Sequence, residues 1–137
     1  MIWGRKLVNK TRRRITVTTG TRAEYGLLRP VLSEINKSKK LDLKLIVAGM
    51  HLSKQYGSTV KEIKEDGFKI SGNVEMVPQG NTNYDMAIAL SSGIKQFSSI
   101  LRKIKPDINI ILGDRDEPFA SAIAAFHLNI PNAHIHG

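Results

Sequence analysis

Hydrophobic positions along this chain switch repeatedly between a strand-like and a helix-like pattern. Ile15-Thr16-Val17-Thr18-Thr19 is β-branched throughout and stops at Gly20, which predicts a buried strand ending in a sharp turn. Leu27, Leu28, Val31, Leu32 and Ile35 then recur at helical spacing, with Pro30 expected to be tolerated in the first turn or to bend the helix. Leu43 to Ala48, closed by Gly49, is a second apolar run of strand length. From Ser53 to Asp66 only Val60 and Ile63 anchor a thinner helical pattern, and Gly67 follows as its cap. Phe68 to Met76 supplies a third strand and Pro78 to Asn83 a loop. Met86, Leu90, Ile94, Phe97, Leu101 and Ile104 form the clearest helical stripe, with Pro106 just beyond it. Ile108 to Leu112 reads as a strand, Pro118 to Phe126 as a short alanine-rich helix, and Asn132 to His136 as a last strand.

Alternation of this kind predicts an α/β fold, a parallel sheet with helices on both faces and right-handed crossovers. The 137 residues suit one domain, and no apolar run approaches the roughly 18 residues that span a bilayer. No cysteine is present, which excludes disulfides, thiolate metal sites and a cysteine nucleophile. Cytoplasm is the expected location, since that absence suits a reducing compartment and no signal-peptide core is found.

The net charge of +9 raises the question of nucleic acid. Six of the 21 basic residues, Arg5, Lys6, Lys10, Arg12, Arg13 and Arg14, fall in the first fourteen positions with no acid among them. The remaining 15 face 12 acidic residues, an ordinary balance. Residues 1–14 are therefore expected to form a basic flexible arm, and residues 15–137 the domain. The arm reads as a solvated extension, with neither nucleic acid nor membrane as its partner, because no aromatic platform accompanies it.

Three constellations stand at predicted strand ends, where parallel α/β sheets bind ligands. Thr19-Gly20-Thr21-Arg22-Ala23-Glu24-Tyr25-Gly26 joins the first strand to the first helix. A glycine turn carrying Arg22 at a helix N-terminus can receive phosphate, or Arg22 and Glu24 can simply pair or cap. Gly49-Met50-His51-Leu52-Ser53 follows the second strand, so His51 can line the same crevice or be structural. Leu112-Gly113-Asp114-Arg115-Asp116-Glu117 follows the fourth strand. Asp114 there is either a site carboxylate or a helix cap, because Glu117 stands three residues on. His134 and His136 alternate on the last strand and should share a face; two histidines without a third ligand predict no metal site. His127 reads as a surface residue.

Together, TGTRAEYGLLRPVL from Thr19, GMHLSKQYG from Gly49 and LGDRDEPFASAIAAFHLNIPNAHIHG from Leu112 resemble the UDP-N-acetylglucosamine 2-epimerase family, closest to its hydrolysing branch. The resemblance runs from Ile15 to Gly137. It implies a Rossmann-like doubly wound sheet forming the N-terminal half of a two-domain glycosyltransferase-B-like fold, with the C-terminal domain and the continuation of the last motif lying beyond Gly137. It further implies a UDP-sugar substrate, no cofactor, and a homo-oligomer when full length. The chemistry would be elimination of UDP across C1 and C2 of the sugar, then addition of water. In that picture Asp114 and His136 are catalytic, with His136 standing where some relatives carry a glutamate. Gly20, Arg22, Glu24, His51, Arg115, Glu117 and His134 bind substrate, Arg22 on the diphosphate. Arg115 and Glu117 match the GDRxE pattern of the hydrolysing branch, where the non-hydrolysing one tends to carry threonines. A fragment of this extent is expected to have little or no turnover alone. The alternatives are a non-catalytic nucleotide- or anion-binding module and a non-hydrolysing epimerase.

Overall fold

A computed structural model describes residues 11–53 and 59–137. Five strands, β1 (Arg13–Thr19), β2 (Leu41–Ala48), β3 (Ile70–Val74), β4 (Ile108–Leu112) and β5 (Asn132–Ile135), form one sheet in the order β3-β2-β1-β4-β5. All four pairings are parallel. Helices α1 (Arg22–Lys37), α2 (Thr59–Glu65), α3 (Asn83–Ile104) and α4 (Asp116–His127) alternate with the strands, and a short 3-10 turn, Gly49–Leu52, follows β2.

Burial divides between the two faces of the sheet, as a doubly wound fold requires. One layer packs Tyr25, Leu28, Leu32 and Ile35 of α1 with Ile63 of α2 against Val17, Leu45 and Val47. The other packs Phe97 and Leu101 of α3 with Ala120, Ala124 and Ala125 of α4 against Ile46 and Val74. Alanine on α4 lets that helix lie close to α3 and the sheet.

Each long helix is fixed at its start by a capping box. Thr21 and Glu24 close α1, and Thr82 and Asp85 close α3, each pair satisfying two backbone N–H groups reciprocally. Lys105 ends α3 in the left-handed conformation and Pro106 prevents its continuation.

Several boundaries differ from the sequence reading. Pro30 lies in the middle of one continuous helix, not in its first turn. The α4 helix starts two residues before Pro118, which then occupies the third helical position, where no intrahelical N–H is needed. The last strand ends at Ile135, and His136 beyond it adopts φ +57. His134 and His136 therefore do not alternate along one strand. The arm expected over residues 1–14 lies outside the described residues up to position 10. Its last part is not free: Arg13 and Arg14 pair with Leu41 and Asp42 as the start of β1. The Arg14 side chain also donates to the Ile104 carbonyl at 2.8 Å. Of the helix expected over Ser53 to Asp66, residues 54–58 lie outside the described ones, and α2 occupies Thr59–Glu65.

Candidate functional site

The chain leaves β1 towards β2 on one side and passes from β4 to β5 on the other, so the connection reverses between β1 and β4. In open parallel sheets that reversal opens a crevice beyond the strands' carboxyl ends. The turns after Thr19 and Leu112 flank it. Gly113 takes φ +75, a left-handed turn that a side chain would strain, and its N–H donates to the Ile135 carbonyl at 3.1 Å.

Glu117 lies at the centre of this region. It is buried at the start of α4, over the backbone of the two neighbouring strand ends. A Cβ on Gly20 would come within 2.8 Å of its Cγ, and one on Gly49 within 2.3 Å of its Oε1. Glycine at both positions is thus the condition for a carboxylate here. The second acid, Glu24, is also buried, and its Oε2 accepts from Gly20 N–H at 2.7 Å and Thr21 N–H at 3.1 Å. Its Oε1 is buried and has no hydrogen bond. Burial holds the Glu24 carboxyl above its ordinary pKa, the Gly20 N–H opposes that, and the nearby Glu117 charge reinforces it.

Arg115 serves both acids. Its Nε stands 3.6 Å from Glu117 Oε2 and 3.9 Å from Glu24 Oε1, while Nη2 reaches the Met50 sulfur at 3.8 Å. Half of its side chain stays exposed, so one cation bridges a buried acidic pair and the open crevice. The open crevice beside Arg115 has a volume of about 460 Å³ and lies to the β2/β3 side of the reversal. Arg115, Asp116 and Glu117 form one wall, Gly49 and Met50 another, and Met76, Val77, Pro78, Met86 and Ala89 an apolar one.

Two readings change at this point. The N–H groups of Gly20 and Thr21 are already taken by Glu24, so the turn before α1 is a closed cap and not an open phosphate cradle. His51 does not line the crevice: it is 3% exposed, with its Nε2 2.9 Å from the Thr19 hydroxyl. The Thr19 hydroxyl and His51 Nε2 share that hydrogen bond, and the buried Nδ1 has no hydrogen-bond partner. Burial, partly opposed by the Thr21 carbonyl, lowers the His51 pKa to about 4.

The remaining candidates stand on the rim. Arg22, with 80% of its side chain exposed, pairs with Glu62 at 3.4 Å. Asp114 is exposed and does not cap α4, whose N-cap is Arg115 without a side-chain bond. His134 Nε2 donates to the Gly113 carbonyl at 2.6 Å, and His136 is exposed. Among the described residues no three metal-ligating side chains cluster.

Sequence reasoning missed the apolar wall. Met86 was expected on the buried stripe of α3, yet it is 45% exposed and faces the crevice. The signal available was its place in the first turn, one turn before the buried Ala89 and two before Gly93.

Comparison with known proteins agrees with this fold. A family model described as UDP-N-acetylglucosamine 2-epimerase matches residues 33–137. The chain is similar to UDP-N,N'-diacetylbacillosamine 2-epimerase (hydrolyzing) of Legionella pneumophila, with 45% identity over 125 residues, 91% of this chain and 33% of that protein. It is also similar to GDP/UDP-N,N'-diacetylbacillosamine 2-epimerase (hydrolyzing) of Campylobacter jejuni, with 35% identity over 93% of this chain and 33% of that one. The crystal structure of UDP-GlcNAc 2-epimerase from Neisseria meningitidis bound to UDP-GlcNAc shares the fold, with TM-score 0.75 and 22% identity over 90% of this chain and 32% of that one. The chain spans about a third of the length of these relatives. With the family model covering most of its residues and the GDRxE turn at the reversal of its sheet, the chain belongs to the UDP-N-acetylglucosamine 2-epimerase family, on the hydrolysing branch.

Proposed function

We propose that this chain supplies one wall of the nucleotide-sugar cleft of a hydrolysing UDP-N-acetylglucosamine 2-epimerase, which converts UDP-N-acetylglucosamine and water to N-acetylmannosamine and UDP. A base removes the C2 proton while the bond from C1 to the diphosphate oxygen breaks, giving a glycal and UDP. Water then adds, its hydroxyl to C1 and a proton to C2 on the opposite face. Such a sequence needs an acid/base pair at the sugar and cations at the departing diphosphate.

The observation that carries this reading is the turn after β4 at the reversal of the sheet, where Arg115, Asp116 and Glu117 line the open crevice on the β2/β3 side and Asp114 stands exposed just before them. Asp114 is exposed, makes no bond within the described residues, and is free to take part in proton transfer or to orient the sugar. His136 is the second candidate for proton transfer. Arg22 and Arg115 are the cations within reach of the rim, and Arg22 is assigned to the diphosphate. Gly20 and Glu24 shape the turn before α1, His51 supports it from beneath, Glu117 holds Arg115, and His134 fixes the turn after β4. The apolar wall of Met76, Val77 and Met86 suits the methyl of an acylamino group on the sugar. The Legionella and Campylobacter relatives are named for a diacetylated sugar, so both UDP-N-acetylglucosamine and its diacetylamino analogue are substrates to assay.

Turnover on this reading requires the second half of the cleft. The test joins residues 1–137 to the remaining two thirds of the Legionella relative and measures UDP release and the epimerised free sugar. Turnover by the fusion, with little or none by the 137-residue chain, is the expected result. A folded fusion that binds UDP-sugar without releasing UDP would overturn the reading, as would full turnover by the chain alone.

A further inference from the structure

Glu24 does more than its capping box requires. In the box that starts α3 one carboxylate oxygen suffices: Asp85 Oδ2 accepts from the Thr82 N–H at 3.0 Å and from the Thr82 hydroxyl at 2.6 Å, and Asp85 is not buried. The box that starts α1 uses Glu24 Oε2 in the same way, on the Gly20 and Thr21 N–H groups. Here the carboxylate is buried, and its second oxygen, Oε1, is enclosed without a hydrogen bond. The two acids accordingly shift in opposite directions. The Thr82 hydroxyl and N–H hold Asp85 below the ordinary carboxylate range, whereas burial, opposed by the Gly20 N–H and reinforced by Glu117, pushes Glu24 up. Capping explains neither the burial nor the second acid beside it.

What Glu24 Oε1 meets is Arg115. The Nε of that guanidinium stands 3.9 Å from Glu24 Oε1 and 3.6 Å from Glu117 Oε2, so two buried acids from α1 and α4 converge on it. Its Nη2, by contrast, donates to the Met50 sulfur at 3.8 Å, where Arg115 and Met50 both line the crevice. A thioether is a weak acceptor, so an anionic oxygen entering the crevice can replace it at little cost. Neighbouring charges do not compete for the two acids: Arg22 pairs with Glu62 at 3.4 Å, and His51, with its pKa lowered to about 4, is neutral at pH 7. Glu117 belongs to the same helix start as Arg115 and moves with it. Glu24 is anchored on α1 by two N–H groups and ties Arg115 to the end of β1.

We propose that Glu24 is a positioning residue: with Glu117 it forms a two-acid seat that holds the Nε edge of Arg115 and so presents the Nη edge to the departing diphosphate. This role rests on the cleft assignment above, and adds that the charge of Glu24, apart from its cap, serves turnover. A guanidinium fixed in advance stabilises the charge that grows on the diphosphate oxygen without having to reorganise as the bond to C1 breaks.

The experiment compares variants of the fusion enzyme described above. Glu24→Gln removes the charge but keeps the capping box, which glutamine closes as well as glutamate does. Its melting temperature should be unchanged or raised. Its KM should stay within about twofold while kcat falls about tenfold, less than the roughly 10²-fold loss expected of Arg115→Ala. Glu24→Asp retains both cap and charge, as Asp85 does on α3, and should recover most of kcat. In an Arg115→Ala background Glu24→Gln should cost less than about twofold, since the group it positions is gone. UDP affinity, measured by titration calorimetry on the same preparations, should follow the same order. Unchanged kcat and UDP affinity in Glu24→Gln would overturn the proposal, as would a full loss in the Arg115→Ala background. So would a Glu24→Asp variant no better than Glu24→Gln, or a Glu24→Gln variant that fails to fold. An Arg115→Ala variant without loss would overturn the placement of Arg115 in the cleft, and the role of Glu24 with it. A fusion that binds UDP without turnover would fail the function proposed above, while its UDP affinities would still decide the role of Glu24.

Discussion

Glu117 lies so close over Gly20 that a Cβ on the glycine would stand 2.8 Å from the glutamate Cγ. One side chain from the start of α4 thus sets how the end of β1 turns into α1, and the same side chain covers Gly49 after β2. Gly20→Ala forces either a shifted turn or a displaced carboxylate, at a cost of roughly 1–3 kcal/mol. Gly49→Ala costs more, because φ +59 adds left-handed strain of about 1–2 kcal/mol. Urea denaturation measures both. In a Glu117→Ala background the cost of Gly20→Ala should fall by more than half; an unchanged cost would separate the two residues.

His51 makes the fold sensitive to acid. Its ordinary pKa of 6.5 falls to about 4 in the folded chain, so between those values the unfolded chain binds the additional proton. The contribution is complete above pH 6.5 and is lost as pH falls towards 4, on the order of 3 kcal/mol in all. Glu24 works the other way: its raised pKa lets a falling pH restore some stability as the carboxyl protonates. The net trend is set by the larger His51 shift, so melting temperature should drop from pH 7 to pH 4.5. His51→Gln should flatten that slope, and a slope left intact would place its origin elsewhere.

The fold was legible because period is a local property. Val17, Leu45 and Ile111 declare strands, and Leu28, Leu32, Phe97 and Leu101 declare helix faces, by spacing alone. The site was legible only as a set of turns. That Gly20, Gly49 and Glu117 meet depends on the strand order, which brings residues almost a hundred positions apart into contact. Whether a polar side chain looks outward or inward is equally non-local: Asp114 and His51 both stand just after a glycine at a strand end, yet one is exposed and the other buried. Pro30 misled for a different reason. Packing of Leu28, Leu32 and Ile35 against the sheet outweighs the hydrogen bond that proline removes.

Asp114 separates function from stability. It is exposed, makes no contact that the fold uses, and does not cap α4. Asp114→Asn should therefore change folding free energy by less than about 0.5 kcal/mol. In the fusion with a complete second domain it should lower kcat about 10²- to 10⁴-fold if the carboxylate moves a proton. Thermal melts and a UDP-release assay on the same preparation read both quantities. A large loss of stability would return Asp114 to a structural role.

Asn109 shows how a polar group is held within the sheet. It is fully buried on β4, where its Oδ1 accepts from the Thr16 hydroxyl at 2.8 Å. Its Nδ2 donates to Ser121 Oγ at 3.0 Å and to Asn132 Oδ1 at 2.9 Å. Ser121 in turn lies 3.1 Å from the Thr18 hydroxyl, so β1, β4, β5 and α4 share one polar network across the reversal of the sheet. Asn109→Ala would leave the buried Thr16 and Ser121 hydroxyls to find new partners, at roughly 2–4 kcal/mol. Asn109→Asp retains the acceptor but buries a charge with no cation among the partners named, and should destabilise at neutral pH more than at acidic pH. Urea denaturation at pH 7 and pH 5 distinguishes the variants: the alanine cost should hardly depend on pH, while the aspartate cost should shrink on acidification as its carboxyl takes up a proton.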